Sequence, residues 1–155
     1  MSLSFDKVLL TGGAGFIGSH IVDALVNAGK QVRVLDDLSS GHRKNLAAHA
    51  DNPDVELMIA DIRDPEVCKR ASSDVQVIIH QAALGSVPLS IDDPRTTHDI
   101  NCSGTLNLFE AARQCGVKRV VFASSSAVYG DCTQMPILET APLLIRVMTA
   151  SVITG

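Results

Sequence analysis

Residues 7–18 read Lys-Val-Leu-Leu-Thr-Gly-Gly-Ala-Gly-Phe-Ile-Gly, so that an apolar run passes directly into a cluster of glycines. The glycines fit G-x-x-G-x-x-G at Gly12, Gly15 and Gly18, and they also fit G-x-G-x-x-G when counted from Gly13. Between a strand and a helix, such a loop presents backbone amides and the positive end of a helix dipole to a diphosphate. The stretch therefore predicts a dinucleotide-binding loop, and the alternative is an ordinary glycine-rich turn.

Apolar, β-branched runs alternate with helical patterns along the rest of the chain. The runs predicted as strands are residues 7–11, 31–36, 55–61, 75–80 and 119–124. Continuous apolar runs of this kind are typical of strands buried on both faces of a parallel sheet. Between them lie an apolar stripe from Ile17 to Ala28, a short helix opening at Pro65 and one long predicted helix from Pro94 to Cys115. This alternation predicts an α/β fold, a Rossmann-like doubly wound parallel sheet with strand order 3-2-1-4-5, truncated before a sixth strand.

The composition limits the classes of partner. The chain has 155 residues, 46% of them hydrophobic, and a net charge of −4, which leaves no basic footprint for nucleic acid. No apolar run approaches the ~20 residues that span a bilayer, and residues 1–7 lack the pattern of a signal peptide. We therefore expect a cytoplasmic protein that binds neither nucleic acid nor membranes. Four scattered cysteines, at 68, 102, 115 and 132, are expected to be reduced thiols, and no metal site is predicted.

Two aspartates close predicted strands at the edge where the glycine loop lies. Asp36 follows Gly18 by eighteen residues, a position from which a carboxylate accepts hydrogen bonds from ribose hydroxyls and repels a 2′-phosphate. This favours NAD over NADP, although Arg33 and Arg43 keep NADP as an alternative, and a carboxylate that caps the next turn is another. Asp61 is either an acceptor for the adenine amino group or a solvated strand end.

Six ordered motifs carry a resemblance to a known family. They are residues 11–18, 34–42, 60–63, 80–83, Asn101 and 124–130, the last reading Ser-Ser-Ser-Ala-Val-Tyr-Gly. Together they resemble the extended short-chain dehydrogenase/reductase family, and within it the NAD-dependent nucleotide-sugar epimerases and dehydratases. Residues 81–88, Gln-Ala-Ala-Leu-Gly-Ser-Val-Pro, are especially similar to the UDP-N-acetylglucosamine 4-epimerase branch.

The resemblance implies an NAD that takes hydride from carbon 4 of a UDP-sugar and returns it to the other face. The cofactor-binding residues it implies are Gly12, Gly15, Phe16, Ile17, Gly18, Asp36, Asp37, Leu38, Ser39, Ser40, Gly41, Asp61, Ile62, Gln81, Ala82, Ala83, Leu84, Asn101 and Ser124. Ser125 would be the catalytic hydroxyl, and Ser86, Val87 and Ser126 would face the sugar. Asn101 could equally hydrogen-bond a neighbouring strand, and the apolar flanks of His80 predict a core histidine rather than a base.

The sequence departs from the family where the family's Tyr-x-x-x-Lys motif belongs. Met148 and Val152 occupy the expected positions, the single tyrosine is Tyr129, and no lysine follows Lys118. We therefore divide the chain into an NAD-binding domain at 1–142 and a divergent tail at 143–155, with the substrate domain absent. The resemblance then implies the NAD-binding portion of a nucleotide-sugar 4-epimerase, inactive as the 155-residue chain.

Two alternatives for the function stay open. One is a non-catalytic module that senses NAD or binds a partner. The other is an NAD-dependent sugar-nucleotide dehydratase or reductase, against which Ser126 and Ala127 stand where dehydratases carry acidic residues. UDP-N-acetylhexosamine and UDP-glucose are both candidate substrates of the full-length family. We expect either a homodimer through the helix at 94–115 or self-association through an exposed fifth strand.

Overall fold

The fold is organised around a parallel five-stranded sheet. A computed structural model describes residues 5–130, 132–133 and 135–142. The strands are β1 (Lys7–Thr11), β2 (Gln31–Asp36), β3 (Val55–Ile59), β4 (Val77–His80) and β5 (Arg119–Phe122). They lie in the order β3-β2-β1-β4-β5, and each neighbouring pair is parallel. The predicted fold class and strand order are therefore confirmed.

Helical segments connect the strands. They are α1 (Phe16–Asn27), α2 (Pro65–Ser72), α3 (Val87–Asp92), α4 (Pro94–His98) and α5 (Thr105–Gln114), with 3₁₀ turns at Arg43–His49 and Ser126–Tyr129. The predicted short helix is α2, where Pro65 follows an Asp64 side chain that caps the helix by accepting from the amides of Glu66 and Val67. None of the described helices is both long and apolar enough to cross a membrane.

Each face of the sheet packs into its own core. Leu9, Leu35 and Ile78 lie on one face against α2 and α5, together with the fully buried Leu108. On the other face, the side chains of β1 and β2 that alternate with these pack against α1; they are Val8, Leu10, Val32 and Val34. Because strand side chains alternate between faces, the sheet is covered by helices on both sides. The carboxyl ends of the strands meet at one edge, where the loops carry the candidate site.

The long helix predicted from Pro94 to Cys115 is helical from Pro94 to Gln114 in the structure, and it contains a π-helical turn that was not predicted. α4 passes into a π-helical turn at Asp99–Gly104 before α5 begins. The Asn101 side chain on this turn accepts from the Leu84 amide at 2.8 Å and donates to the Leu84 carbonyl at 3.1 Å. The π-helical turn passes so close to Ile62 that a Cβ at Gly104 would lie 2.7 Å from the Ile62 side chain, so glycine permits this packing. These tertiary contacts accompany the wider turn, and periodicity alone does not predict them.

Candidate functional site

A crevice opens at the carboxyl ends of β1, β2, β3 and β4. It contains about 640 Å³ of atom-free space, part of it open to solvent. Its wall consists of glycine-loop residues, the residues that follow β2 and β3, and the segment after β4; the lining residues are Gly12, Gly15, Leu35, Asp36, Asp37, Ser39, Ser40, Ala60, Asp61, Ile62, Gln81, Ala82, Ala83, Leu84 and Ile100. In open α/β sheets, ligands bind in crevices at this end of the strands.

The glycine loop requires glycine at its first and last positions. Gly12 has φ +70°, and a Cβ there would lie 2.7 Å from the Ala82 amide nitrogen. A Cβ at Gly18 would overlap the Gly12 carbonyl oxygen, so glycine at this position allows α1 to pack onto the loop. No side chain caps α1 at Gly15, and this N-cap residue lines the crevice, so the positive end of the helix dipole lies beside it. This arrangement suits an anionic group.

The Asp36 carboxylate joins the glycine loop to the segment after β2. Its Oδ2 accepts from the Ala14 amide at 2.9 Å, and its Oδ1 accepts from the Leu38 amide at 2.8 Å. The residue is 8% exposed and lines the crevice. A carboxylate has about four acceptor positions, so two backbone bonds leave capacity for hydroxyl donors. The carboxylate thus caps the turn after β2, as one interpretation predicted, and ribose binding by Asp36 stays a prediction.

Arg33 is engaged elsewhere in the fold. Its Nη1 donates to the Ala71 carbonyl at 2.9 Å and the Ser73 carbonyl at 2.8 Å, and its Nε donates to Glu56 at 2.8 Å. The guanidinium thus satisfies the carbonyls at the end of α2. Of the two arginines that kept NADP as an alternative, Arg33 is therefore held by structural contacts and Arg43 remains exposed.

Asp61 lines the crevice but is paired with Arg63. The Arg63 guanidinium donates to Asp61 Oδ2 at 2.6 and 2.8 Å, and the Arg63 amide donates to Oδ1 at 2.8 Å. These bonds hold the pKa of Asp61 below its usual value. The carboxylate is therefore charged and oriented, and an adenine amino group would have to use its remaining acceptor positions.

The segment after β4 is held by side chains from beneath. The Thr11 hydroxyl accepts from the Ala82 amide at 3.2 Å and contacts His80 Nδ1, whose ring contacts the Thr105 hydroxyl through Nε2. His80 is 6% exposed, so the prediction of a core histidine is confirmed. Asn101 bonds the backbone of Leu84 in the loop after β4, and not a neighbouring strand.

Most of the residues predicted to bind the cofactor lie at the crevice, and several do not. Phe16 and Ile17 are 78% and 62% exposed at the start of α1. The other residues outside the lining are Gly18, Leu38, Gly41, Asn101 and Ser124. Sequence reasoning missed Leu35, Ala60 and Ile100, which supply apolar wall; the first two directly precede Asp36 and Asp61, and that position was the available signal.

The residues predicted for catalysis and sugar binding make local contacts. Ser125 Oγ accepts from the Ala127 amide at 3.2 Å, and Ser86 Oγ accepts from the Leu89 amide at the start of α3. Val87 is 51% exposed, and Ser126 is exposed at the beginning of the second 3₁₀ turn. Met148, Val152 and the predicted tail at 143–155 lie outside the described residues.

A doubly wound parallel sheet with a glycine loop at the start of α1 and a carboxylate at the end of β2 defines the class of Rossmann-like proteins. Residues 8–148 match the family described as "NAD dependent epimerase/dehydratase family", and the chain belongs to that family.

Relatives of known name agree with this assignment. The chain is 42% identical over 137 residues to a UDP-glucose 4-epimerase of Lacticaseibacillus casei, covering 87% of this chain and 40% of the relative. Among solved structures, it resembles the Thermus thermophilus UDP-glucose 4-epimerase in complex with NAD (TM-score 0.78, 43% identity, 89% of this chain and 44% of that chain). It also resembles a UDP-N-acetylglucosamine 4-epimerase from Methanobrevibacter ruminantium in complex with UDP-N-acetylmuramic acid (TM-score 0.82, 38% identity, 92% and 45%). The chain thus spans less than half the length of these relatives.

Proposed function

We propose that the chain is the NAD-binding part of a nucleotide-sugar 4-epimerase and that the 155-residue polypeptide does not turn over substrate. The observation that carries the proposal is the position of the Asp36 carboxylate, which lines the crevice and is bonded to the glycine loop. A diphosphate at the start of α1 and a ribose at Asp36 would lie on adjoining parts of one wall.

The chemistry of the crevice wall supports a dinucleotide as the ligand. Leu35, Ala60, Ile62 and Ile100 give the crevice apolar wall suited to an adenine ring. Asp36 would accept the ribose hydroxyls, and the amides at the start of α1 would bind the diphosphate. Two features support NAD over NADP. Arg33 is bound to carbonyls at the end of α2 and is not free to pair with a 2′-phosphate, and a 2′-phosphate beside Asp36 would meet a carboxylate.

Bound NAD would supply a hydride acceptor and donor for carbon 4 of the sugar. The chain would hold the cofactor and exclude water along the apolar wall, while Ser125 would hydrogen-bond the reacting oxygen. Proton removal from the 4-hydroxyl needs a base, and neither Met148 nor Val152 has a titratable group. This is the reason for proposing that the polypeptide is inactive.

Calorimetric titration with NAD and NADP, paired with separate assays of the 4-epimerisation of UDP-galactose and of UDP-N-acetylgalactosamine, tests the proposal. We expect saturable NAD binding, weaker NADP binding and no sugar interconversion. Turnover of either UDP-sugar by the 155-residue polypeptide would overturn the proposed inactivity, and failure to saturate at millimolar NAD would overturn the proposed binding.

A further inference from the structure

Residues at the end of β2 and in the segment after it bind both the amide and the carbonyl of Ala14, in the centre of the glycine loop. Its amide donates to Asp36 Oδ2 at 2.9 Å. Its carbonyl accepts from the His42 amide at 3.0 Å and from Asn45 Nδ2 at 2.7 Å. Ala14 is fully buried, and the Asn45 side chain that reaches its carbonyl is partly buried. Three residues therefore hold the two peptide groups on either side of the Ala14 Cα: Asp36 holds the Gly13–Ala14 peptide, and His42 and Asn45 hold the Ala14–Gly15 peptide.

We propose that Asn45 is a positioning residue for the diphosphate-binding loop, acting through the Ala14 carbonyl. The inference rests on the proposed function, because it assigns the glycine loop to a diphosphate. It adds a residue that does not line the crevice and that belongs to the segment after the ribose-binding position.

Asn45 lies in a turn that is packed against the core. It lies in the 3₁₀ turn at Arg43–His49, and its own amide donates to the His42 carbonyl at 2.9 Å. The next residue, Leu46, is 5% exposed and packs in the core with Val34 and Ala14. The turn is therefore packed against the sheet, and the hydrogen bond from Asn45 Nδ2 to the Ala14 carbonyl ties the glycine loop to this turn.

Loss of the Asn45 side chain is expected to affect the position of the glycine loop without unfolding the protein. Without the Asn45 amide, the Ala14 carbonyl still accepts from the His42 amide, so no buried acceptor is left unsatisfied. The plane of the Ala14–Gly15 peptide would then have one fewer restraint directly before the first turn of α1. The expected loss falls on ligands that carry a diphosphate and spares those that end at the ribose.

The test compares ADP with adenosine, using Asn45→Ala and Asn45→Asp, which both lack the amide donor, and Asn45→Gln, which keeps it. Asn52→Ala is the matched control, since the Asn52 side chain accepts from the Asp54 amide in a turn before β3 and does not line the crevice. We expect Asn45→Ala to weaken ADP binding about fivefold, the scale of one hydrogen bond, with adenosine binding unchanged and with partial recovery in Asn45→Gln. The Asn52 variant should match the parent chain.

A measurement without ligand keeps the two proposals distinguishable. In the free protein, Asn45→Ala should speed hydrogen exchange of the Gly15 amide, which belongs to the Ala14–Gly15 peptide and donates to the Gly12 carbonyl, while leaving exchange at buried β1 amides unchanged. Equal loss of ADP and adenosine binding, or unchanged exchange of the Gly15 amide, would overturn the role of Asn45. If the parent chain binds neither ADP nor NAD, the proposed function fails, and the exchange result still decides whether Asn45 positions the loop.

Discussion

His80 Nδ1 lies 2.6 Å from the hydroxyl oxygen of Thr11, and this contact has a fixed direction. The Thr105 hydroxyl donates to the Asn101 carbonyl, so it must accept from His80 Nε2–H. The neutral ring then accepts at Nδ1 from Thr11, whose oxygen accepts from the Ala82 amide. A chain of single hydrogen bonds therefore connects the segment after β4 with the π-helical turn.

The first prediction concerns acid stability. Burial lowers the pKa of His80 from 6.5 to about 4, so the folded state keeps the ring neutral where the unfolded chain protonates it. The contribution to the free energy of unfolding is complete above about pH 6.5 and is lost as the pH falls towards 4, by up to about 3 kcal/mol. Urea unfolding at pH 7, 5.5 and 4.5 measures it.

The control for this prediction is the exposed His98. His80→Gln should flatten the pH dependence of unfolding between pH 4 and 6.5, and His98→Gln should leave it unchanged. An identical pH dependence in the parent chain and His80→Gln would contradict the assignment of the buried ring as the titrating group.

The second prediction concerns nucleotide preference. Asp36→Asn removes the negative charge that would repel a 2′-phosphate and weakens the bonds to Ala14 and Leu38. NAD affinity should fall about tenfold, the scale of a hydrogen bond to a charged group, and the ratio of NAD to NADP affinity should narrow. Calorimetry with both nucleotides measures this, with exposed Asp51→Asn as the control. A preserved ratio would argue against a ribose at Asp36.

The third prediction compares two glycines with the same backbone angle. Gly12 and Gly29 both have φ +70°, but a Cβ at Gly12 would strike the Ala82 backbone whereas one at Gly29 meets nothing within 4 Å. Gly29→Ala should cost roughly 1–2 kcal/mol of backbone strain, and Gly12→Ala should cost more. Thermal unfolding of both variants measures the loss of stability. Equal losses would contradict the prediction, because they would mean that the backbone at Ala82 moves away from the new Cβ at little cost.

The fourth prediction concerns self-association. In the described part of the chain β5 is an edge strand, and Val121 and Phe122 are 50% and 53% exposed. Because such edges pair with other chains, sedimentation of the 155-residue polypeptide should depend on its concentration, and Val121→Lys should reduce the effect. Leu106→Lys, on the exposed face of α5, tests the helix route instead. A monomer at every concentration would contradict both routes.

Much of the fold follows from local sequence patterns, because strand runs, glycines and caps act over a few residues. The strand order and α2 are confirmed for this reason. The π-helical turn at Asp99–Gly104 carries Asn101, which contacts Leu84 seventeen residues away, and α3 starts at a Ser86 cap that was not predicted.

The candidate site was likewise predictable only in part from the sequence. The glycine loop and Asp36 are recognisable because their spacing is set by one strand, one turn and one helix. The pairing of Asp61 with Arg63 and the bond from Asn45 to Ala14 depend on side-chain direction, which spacing does not supply. Leu35 and Ala60 were overlooked because apolar strand ends are read first as core.

The contacts of Arg33 set a limit on redesigning the cofactor preference of this protein. Its guanidinium closes the carbonyl end of α2 and pairs with Glu56, so redirecting it towards a 2′-phosphate would leave helix carbonyls without their donor. Neutralising Asp36 alone would therefore produce a less selective protein rather than an NADP-specific one. The cation for a 2′-phosphate would have to come from the segment after β2, either the exposed Arg43 or an introduced residue, and Arg33 would stay at the end of α2.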